Sequence, residues 1–178
     1  MTGAGREATG FGEGPRDADV MLVGQNPGRE EVKQGRPFVG RSGQYLDRIL
    51  QQNGLDRSKP YITGVVKEPT PHNRKPKADE IKYWMPTLVA EIKEVKPKIV
   101  VLMGRVAWQV PRFEGIDYIQ TYHPSAAMRF PRPDRNSTRT CQDSRTEWVR
   151  LRDRRASPPA NSLRGTDMRH RLERSHPV

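Results

Sequence analysis

The sequence predicts an α/β fold in which a sheet of parallel strands is covered by helices on both faces. Four short apolar runs alternate with segments of helical spacing, and this alternation favours parallel strands joined by right-handed crossovers. Residues 99–103 are apolar at every position, as is typical of a strand buried on both faces. Three of the four runs lead into polar loops that contain Gly or Pro, so we expect a site at the carboxyl edge of the sheet.

The first half of the predicted domain contains two strands and one helix. Residues 20–23 form an apolar run that leads into the loop 24–28, and we interpret them as a buried strand. Residues 43–53 carry apolar side chains at helical spacing, and Gly54 is suited to end this helix. Residues 61–66 are rich in β-branched side chains and have prolines nearby on both sides, which predicts a second strand.

The second half repeats this alternation. Residues 77–96 form a long amphipathic helix with one apolar face, and the proline at position 97 ends it. The strand 99–104 follows, and a short helix is expected at 105–110. Residues 118–122 predict a fourth strand, which ends at the segment His-Pro-Ser of positions 123–125.

Composition and charge favour a soluble protein with a polyanionic partner. The formal net charge is +11 and the pI is near 10.2, which suits nucleic acid because neutralising phosphates releases counterions. No apolar run approaches the roughly 20 residues of a membrane helix, and the N-terminus lacks the apolar core of a signal peptide. Cys141 is the only cysteine, which excludes an intramolecular disulfide and a cysteine-held metal cluster. We expect a cytoplasmic monomer without a metal site.

The chain divides into three predicted parts. Residues 1–16 are rich in Gly and charge and are expected to be flexible, and residues 17–130 form the domain. Residues 131–178 contain twelve Arg, no Lys and six acidic residues, and they lose hydrophobic periodicity apart from 148–151. The hydrophobic fraction of the whole chain, 33%, is low for one compact domain, which agrees with a disordered, Arg-rich tail.

Three loops carry the functional signal: Gly-Gln-Asn-Pro-Gly at 24–28, Pro-Phe-Val-Gly-Arg-Ser-Gly at 37–43, and His-Pro-Ser-Ala-Ala-Met-Arg at 123–129. Their order, spacing and placement after strands resemble the uracil-DNA glycosylase superfamily, most closely its family 4. The resemblance runs from about Gly12 to Phe130 and continues between the loops through 61–67 and 73–76. It implies a three-layer α/β/α fold with a four-stranded parallel sheet and a pocket for one extruded base. It also implies base excision repair: a uracil or related deaminated base is flipped out of DNA and its N-glycosidic bond is hydrolysed.

The resemblance assigns the chemistry to three residues. Asn26 is expected to orient the attacking water, and His123 to donate a hydrogen bond to O2 of the departing base as negative charge develops there. Phe38 is expected to stack on the base. Each residue has a structural alternative: Asn26 a turn before proline, His123 a structural role at a strand end, and Phe38 a place in the core.

Further residues are expected to shape the pocket and grip the backbone of DNA. We expect the base to be bound by Gly24, Gln25, Phe38, Gly64 and Asn73. DNA-binding residues are Gly40, Arg41, Ser42, Ser125, Met128 and Arg129. The first three precede the N-terminus of the predicted helix 43–53, where free amides favour phosphate. Met128 and Arg129 match a loop that enters the duplex, although Met128 could equally be a core residue and Arg41 a solvated one.

Three features depart from the family 4 pattern. Family members hold an iron–sulfur cluster on four cysteines; here the segment with the first two is missing, and Glu68 and Trp84 stand at the other two positions, so we expect no cluster. Gly64 stands where the family usually has an Asn that reads uracil. This departure suggests two hypotheses: a loss of discrimination between bases, or a shift toward hypoxanthine, xanthine or mismatched thymine. The family usually reads Gly-Glu-Ala-Pro-Gly where this chain has Gln25 and Asn26. His72 lies where a cross-linking branch carries a covalent histidine, but we interpret it as a solvated loop residue.

Two alternatives stay open at this stage. The chain could be a catalytically weak or inactive DNA-binding module of the same fold, or, more remotely, a nucleotide-binding enzyme of another α/β class that lacks a P-loop and a Gly-x-Gly-x-x-Gly motif. The tail is either an arm that adds nonspecific DNA affinity or a frame-shifted segment. With suitable codons, residues 136–148 read one base upstream give E-F-Y-K-D-L-S-R-L-K-N-G, similar to the family's last helix, and the coding DNA would decide this.

Overall fold

The computed structural model describes residues 12–129, and they contain a four-stranded parallel sheet. The strands are β1 (Val20–Gly24), β2 (Tyr61–Gly64), β3 (Ile99–Met103) and β4 (Asp117–Thr121), in the spatial order β2-β1-β3-β4. Every adjacent pair is parallel. The helices are α1 (Arg29–Gln34), α2 (Arg41–Gln52), α3 (Ala78–Val95) and α4 (Pro124–Arg129), with 3₁₀ turns at Pro71–Asn73 and Ala107–Gln109. The predicted parallel α/β sheet is confirmed.

Alternate residues of the central strands supply two separate hydrophobic layers, one on each face of the sheet. Val20 and Leu22 of β1 pack in the layer that contains Leu46 and Leu50 of α2. Met21 and Val23 point to the opposite face, where the layer includes residues of α3 from Ile81 to Val95. Burial on both faces explains why β1 and β3 are apolar at nearly every position. The result is the three-layer α/β/α arrangement that the family resemblance implied.

Trp84 lies within the α3 layer and is only 6% exposed. Its side chain therefore packs against the apolar residues of this layer. Helix α3 also contains Pro86 and begins with a capping box, in which the side chain of Glu80 accepts from the backbone N–H of Lys77.

Some predicted elements differ from the observed ones. Helix α1 was not predicted, because Val32 is its only aliphatic residue and a charged six-residue helix has no apolar stripe to detect. Residues 124–129, interpreted as a loop, form α4, and the helix expected at 105–110 is reduced to a 3₁₀ turn at Ala107–Gln109. Strand β2 ends at Gly64, and β4 runs from Asp117 to Thr121. Gly54 follows the C-cap of α2 with a φ of +67°, the left-handed conformation that suits glycine.

Two further predictions concern the two ends of the chain, which the structure describes in part or not at all. Residues 12–16 belong to the segment expected to be flexible; Glu13 forms an antiparallel bridge with Ile62 and an ion pair with Arg36. The remainder of that segment, Cys141 and the predicted tail 131–178 lie outside the described residues. Among the helices that the structure describes, none is long and apolar enough to cross a membrane.

Candidate active site

The carboxyl ends of β1, β2 and β4 and the segment 37–43 surround a cavity of about 610 Å³. Nearly all of the predicted site residues line it: Gln25, Asn26, Phe38, Gly40, Arg41, Ser42, Gly64, Asn73, His123, Ser125, Met128 and Arg129. Gly24 does not line the cavity itself but lies directly behind the ring of Phe38. The three loops that the sequence singled out therefore meet at one place, the carboxyl edge of the parallel sheet.

Phe38 forms part of the cavity wall in an unusual backbone conformation. Its φ is +50°, in the left-handed region that residues with a β-carbon rarely adopt. The ring rests on Gly24, where a β-carbon would overlap Cζ of the ring. It also lies 5.8 Å from the ring of His123, measured between centroids, with 33° between the planes. One face of a flat ligand could therefore be covered by Phe38 while its edge meets His123.

His123 directly precedes α4, and the helix fixes its tautomer. The Nδ1 atom accepts the backbone N–H of Ser125 at 3.2 Å and lies 2.8 Å from the Oγ of the same residue. Burial lowers the pKa of His123 from 6.5 to about 4, although the nearby carboxylate of Glu31 opposes this shift. The imidazole is therefore neutral near pH 7. Because Nδ1 accepts, the proton resides on Nε2, which makes that atom a donor.

Asn26 is oriented by the loop after β2. Its Nδ2 donates to Oγ1 of Thr70 at 3.2 Å and to the backbone carbonyl of Pro27 at 3.3 Å. Thr70 is buried and donates in turn to the carbonyl of Arg74 at 2.6 Å. With the amide nitrogen engaged in this way, the side-chain oxygen of Asn26 is left as the acceptor for a ligand or a water molecule.

The end of β2 forms a second wall. A β-carbon added at Gly64 would lie 3.2 Å from the carbonyl oxygen of Gln25, so a side chain there requires a small shift of the backbone. The buried ammonium group of Lys67 donates to the carbonyl of Gly64 at 2.7 Å and pairs with Glu91. Burial lowers the pKa of Lys67, and the carboxylate of Glu91 opposes that shift.

Asn73 reaches the rim of the cavity through a strained turn. Both His72 and Asn73 have positive φ angles, +52° and +59°. Asn73 lines the cavity, whereas His72 is exposed and does not line it. This placement agrees with the interpretation of His72 as a solvated loop residue.

The rim of the cavity carries exposed cationic groups. Arg41 begins α2, and its backbone N–H and that of Ser42 belong to the first turn, where no side chain caps the helix. Arg129 lies at the end of α4 and is exposed, whereas Met128 is half-buried and faces the cavity. These groups could contact phosphates on either side of an extruded base.

Comparison with known proteins now decides the family. The sequence model that defines the uracil DNA glycosylase superfamily as a protein family matches residues 11–148 of this chain. The chain belongs to the uracil DNA glycosylase superfamily. The match begins before the predicted domain, 17–130, and extends beyond it into the tail.

Several curated members of the superfamily are similar to this chain. A type-4 uracil-DNA glycosylase from Sulfurisphaera tokodaii is 36% identical over 144 residues, which cover 67% of this chain and 66% of the relative. A type-4 uracil-DNA glycosylase from Pyrobaculum aerophilum is 35% identical over 143 residues, or 67% of this chain and 73% of the relative. A third, from Thermotoga maritima, is 36% identical over 135 residues, or 66% of this chain and 70% of the relative. The chain thus spans about two thirds of the length of these relatives.

Two charged residues that the sequence analysis did not identify, Glu31 and Arg57, also contribute to the site. Glu31 lines the cavity although α1 is mostly solvated, and its carboxylate accepts the backbone N–H groups of Val39 and Gly40 at 3.0 and 2.8 Å. Arg57 lies behind the segment 37–43 and donates to its carbonyl groups. A charged residue in a polar stretch gives no sign of either contact, because both depend on tertiary structure.

Proposed function

We propose that this chain is a uracil-DNA glycosylase that flips a uracil or a related deaminated base out of DNA and hydrolyses its N-glycosidic bond. The observation that carries the proposal is that Asn26, Phe38 and His123, from three separate segments, line one cavity. The similarity to type-4 uracil-DNA glycosylases supports the activity. The chain needs DNA as its substrate and leaves an abasic site.

The geometry accounts for the departure of the base. The glycosidic C1′–N bond breaks with its electron pair moving onto the base, so negative charge develops on the base oxygens. His123 is neutral and presents Nε2–H, which can stabilise that charge without a proton transfer that its low pKa makes unfavourable. Phe38 stacks on the extruded base, a contact worth roughly 1–3 kcal/mol, and offsets part of the cost of flipping.

Water completes the reaction on the sugar side. The amide oxygen of Asn26 orients a water molecule, whose oxygen bonds to C1′ while its released proton passes to solvent or to the departed base. An amide is too weak a base to activate water early, so the proposal requires that bond breaking to the base is the difficult step. The amides at the start of α2, Ser125 and Arg129 hold the flanking phosphates in this proposal.

The residues that line the pocket also bear on which bases it accepts. Gly64 has no side chain with which to read the edge of a base, so recognition rests on backbone groups, Asn26 and Asn73. We therefore infer that the pocket is relaxed and accepts hypoxanthine, xanthine or mismatched thymine in addition to uracil. The Gly64→Asn variant should narrow this range, because its added side chain occupies the wall beside Gln25.

The iron–sulfur cluster of family 4 is absent in this proposal. Trp84, at one of the cysteine positions, is buried among apolar side chains and offers no thiolate, and Glu68 stands at the other. No group of three or more His, Cys, Asp or Glu side chains within residues 12–129 could hold a metal ion. Iron analysis and visible absorbance of the purified full chain test this directly; stoichiometric iron would refute it.

Excision assays test the activity and the base range together. Oligonucleotides that carry uracil, hypoxanthine, xanthine or a T·G mismatch, in single and double strands, are incubated with the full chain, and abasic sites are cleaved and resolved on a gel. Asn26→Ala and His123→Ala should each lower the rate by a factor of 100 or more, on the order expected for a lost transition-state contact. Specific binding to uracil-containing DNA without excision would favour the inactive binding module instead.

A further inference from the structure

The guanidinium group of Arg57 holds the backbone on which Phe38 is mounted. Its Nη1 donates to the carbonyl oxygen of Phe38 at 2.7 Å, and its Nη2 donates to the carbonyl oxygen of Pro37 at 2.6 Å. Nη1 also pairs with Oδ1 of Asp47, on α2, at 2.7 Å. Arg57 lies between α2 and β2, so it fixes Pro37 and Phe38 relative to the outer helix layer.

The same segment is held from its other side by Glu31. Its carboxylate accepts the N–H groups of Val39 and Gly40, the two residues that follow Phe38. The guanidinium group of Arg57 thus binds the carbonyl groups of Pro37 and Phe38, and the carboxylate of Glu31 binds the amides of the two residues that follow. Such charge-assisted hydrogen bonds are stronger than neutral ones.

This arrangement explains how Phe38 keeps a left-handed backbone. A φ of +50° is unfavourable for a residue with a β-carbon and persists only where surrounding contacts enforce it. Gly43 adds a further constraint, because a β-carbon there would overlap the carbonyl group of Phe38. The outcome is that the ring of Phe38 rests on Gly24 and faces the cavity.

We propose that Arg57 is a positioning residue for base recognition, which acts by holding Phe38 in its left-handed conformation. Arg57 itself does not line the cavity. Its planar fork reaches two carbonyl oxygens and a carboxylate together, a geometry that the single ammonium group of lysine cannot reproduce. The proposal rests on the proposed function only in identifying the stacked ligand as an extruded base.

A double-mutant cycle separates positioning from general stability. Arg57→Met should lower kcat for uracil excision about tenfold with little change in KM, because stacking contributes to the extruded state. In the Phe38→Ala background the same substitution should lower kcat by less than about twofold, because the ring through which it acts is gone.

Arg16→Met is the matched control: Arg16 also pairs with a carboxylate, Glu94 at 2.8 Å, but lies away from the cavity. All variants are compared at a temperature where circular dichroism finds them folded, and Arg57→Lys replaces Arg57→Met if the latter does not fold.

A second readout is independent of catalysis. In NMR spectra of the full chain, nuclear Overhauser contacts between the Phe38 ring and the α-protons of Gly24 should weaken in Arg57→Met and persist in Arg16→Met. Equal losses of kcat with and without the Phe38 ring, or unchanged ring contacts in Arg57→Met, would overturn the proposal. A wild-type chain that excises no uracil would refute the proposed function alone, since the ring contacts still report on Arg57.

Discussion

The ring of Phe38 lies directly against Gly24, the last residue of β1, with no room between them for a β-carbon. Gly24 therefore sets how far the ring sits from the mouth of the cavity. Its neighbour across the sheet, Gly64 of β2, leaves the adjacent wall free of a side chain. The shape of the base pocket thus depends on two glycines in register at the ends of parallel strands.

Gly24→Ala should displace the ring of Phe38 and slow uracil excision. The added methyl group would overlap Cζ of the ring, and the rigid backbone at the strand end leaves the ring as the part that must move. We expect kcat/KM to fall by about tenfold or more, comparable with the loss of one base-stacking contact. Steady-state kinetics check this. The effect should be small in the Phe38→Ala background, and a full loss there would contradict a role through the ring.

At position 38, a substitution by glycine should give a more stable protein than a substitution by alanine, which is the reverse of the usual order. At a φ of +50° glycine has no steric penalty, whereas alanine retains the strain of the left-handed region. Both Phe38→Gly and Phe38→Ala lose the ring and the part of the excision rate that stacking supplies. Phe38→Gly should nevertheless be more stable than Phe38→Ala by about 1 kcal/mol. Urea unfolding of the two variants measures the difference, and the opposite order would mean that residue 38 relaxes to a negative φ.

The location of the site could be predicted from the sequence, because it follows from simple patterns. Buried parallel strands are continuous apolar runs, and the loops after them must meet at one edge of the sheet. That reasoning placed Asn26 and His123 at a common cavity, as the structure has them. The family resemblance supplied Phe38, whose role no local pattern indicates.

The supporting contacts could not be predicted in the same way. Glu31 lies in a charged helix without an apolar stripe, and its buried carboxylate accepts the amides of Val39 and Gly40. Arg57 reaches Phe38 across 19 residues of sequence, so its role depends on how α2 packs. Gly43 was interpreted as the start of a helix, whereas its lack of a side chain is required by the nearby carbonyl of Phe38. Each contact arises from tertiary structure rather than from propensity or periodicity.

His123 should make folding stability depend on acidity. Its pKa is about 4 in the folded chain and near 6.5 when unfolded, so the unfolded state binds more protons between these values. The stabilisation is fully present above about pH 6.5 and is lost as the pH falls toward about 4, a change of up to about 3 kcal/mol. Urea unfolding across this range in wild type and His123→Gln isolates the contribution. Parallel pH profiles for the two proteins would mean that His123 is not desolvated.

Lys67 offers a test of how the end of β2 is held. Its side chain is 2% exposed and pairs with Glu91, which also accepts from the hydroxyl groups of Tyr61 and Thr63. Lys67→Met leaves a carboxylate that is 14% exposed without its cation, and breaking a buried pair in this way costs about 3–5 kcal/mol.

Adding Glu91→Leu to Lys67→Met should recover part of that loss, because the unpaired charge is removed while the two hydroxyl groups lose their acceptor. Lys98→Met is the matched control, since Lys98 pairs with Asp19 on the surface and its loss should change the free energy of unfolding by less than about 1 kcal/mol. Urea unfolding of the four proteins gives the comparison. Because the ammonium group of Lys67 also binds the carbonyl of Gly64, excision by Lys67→Met should slow even where the variant is fully folded. Undiminished excision would show that the wall beside Gly64 does not depend on this ion pair.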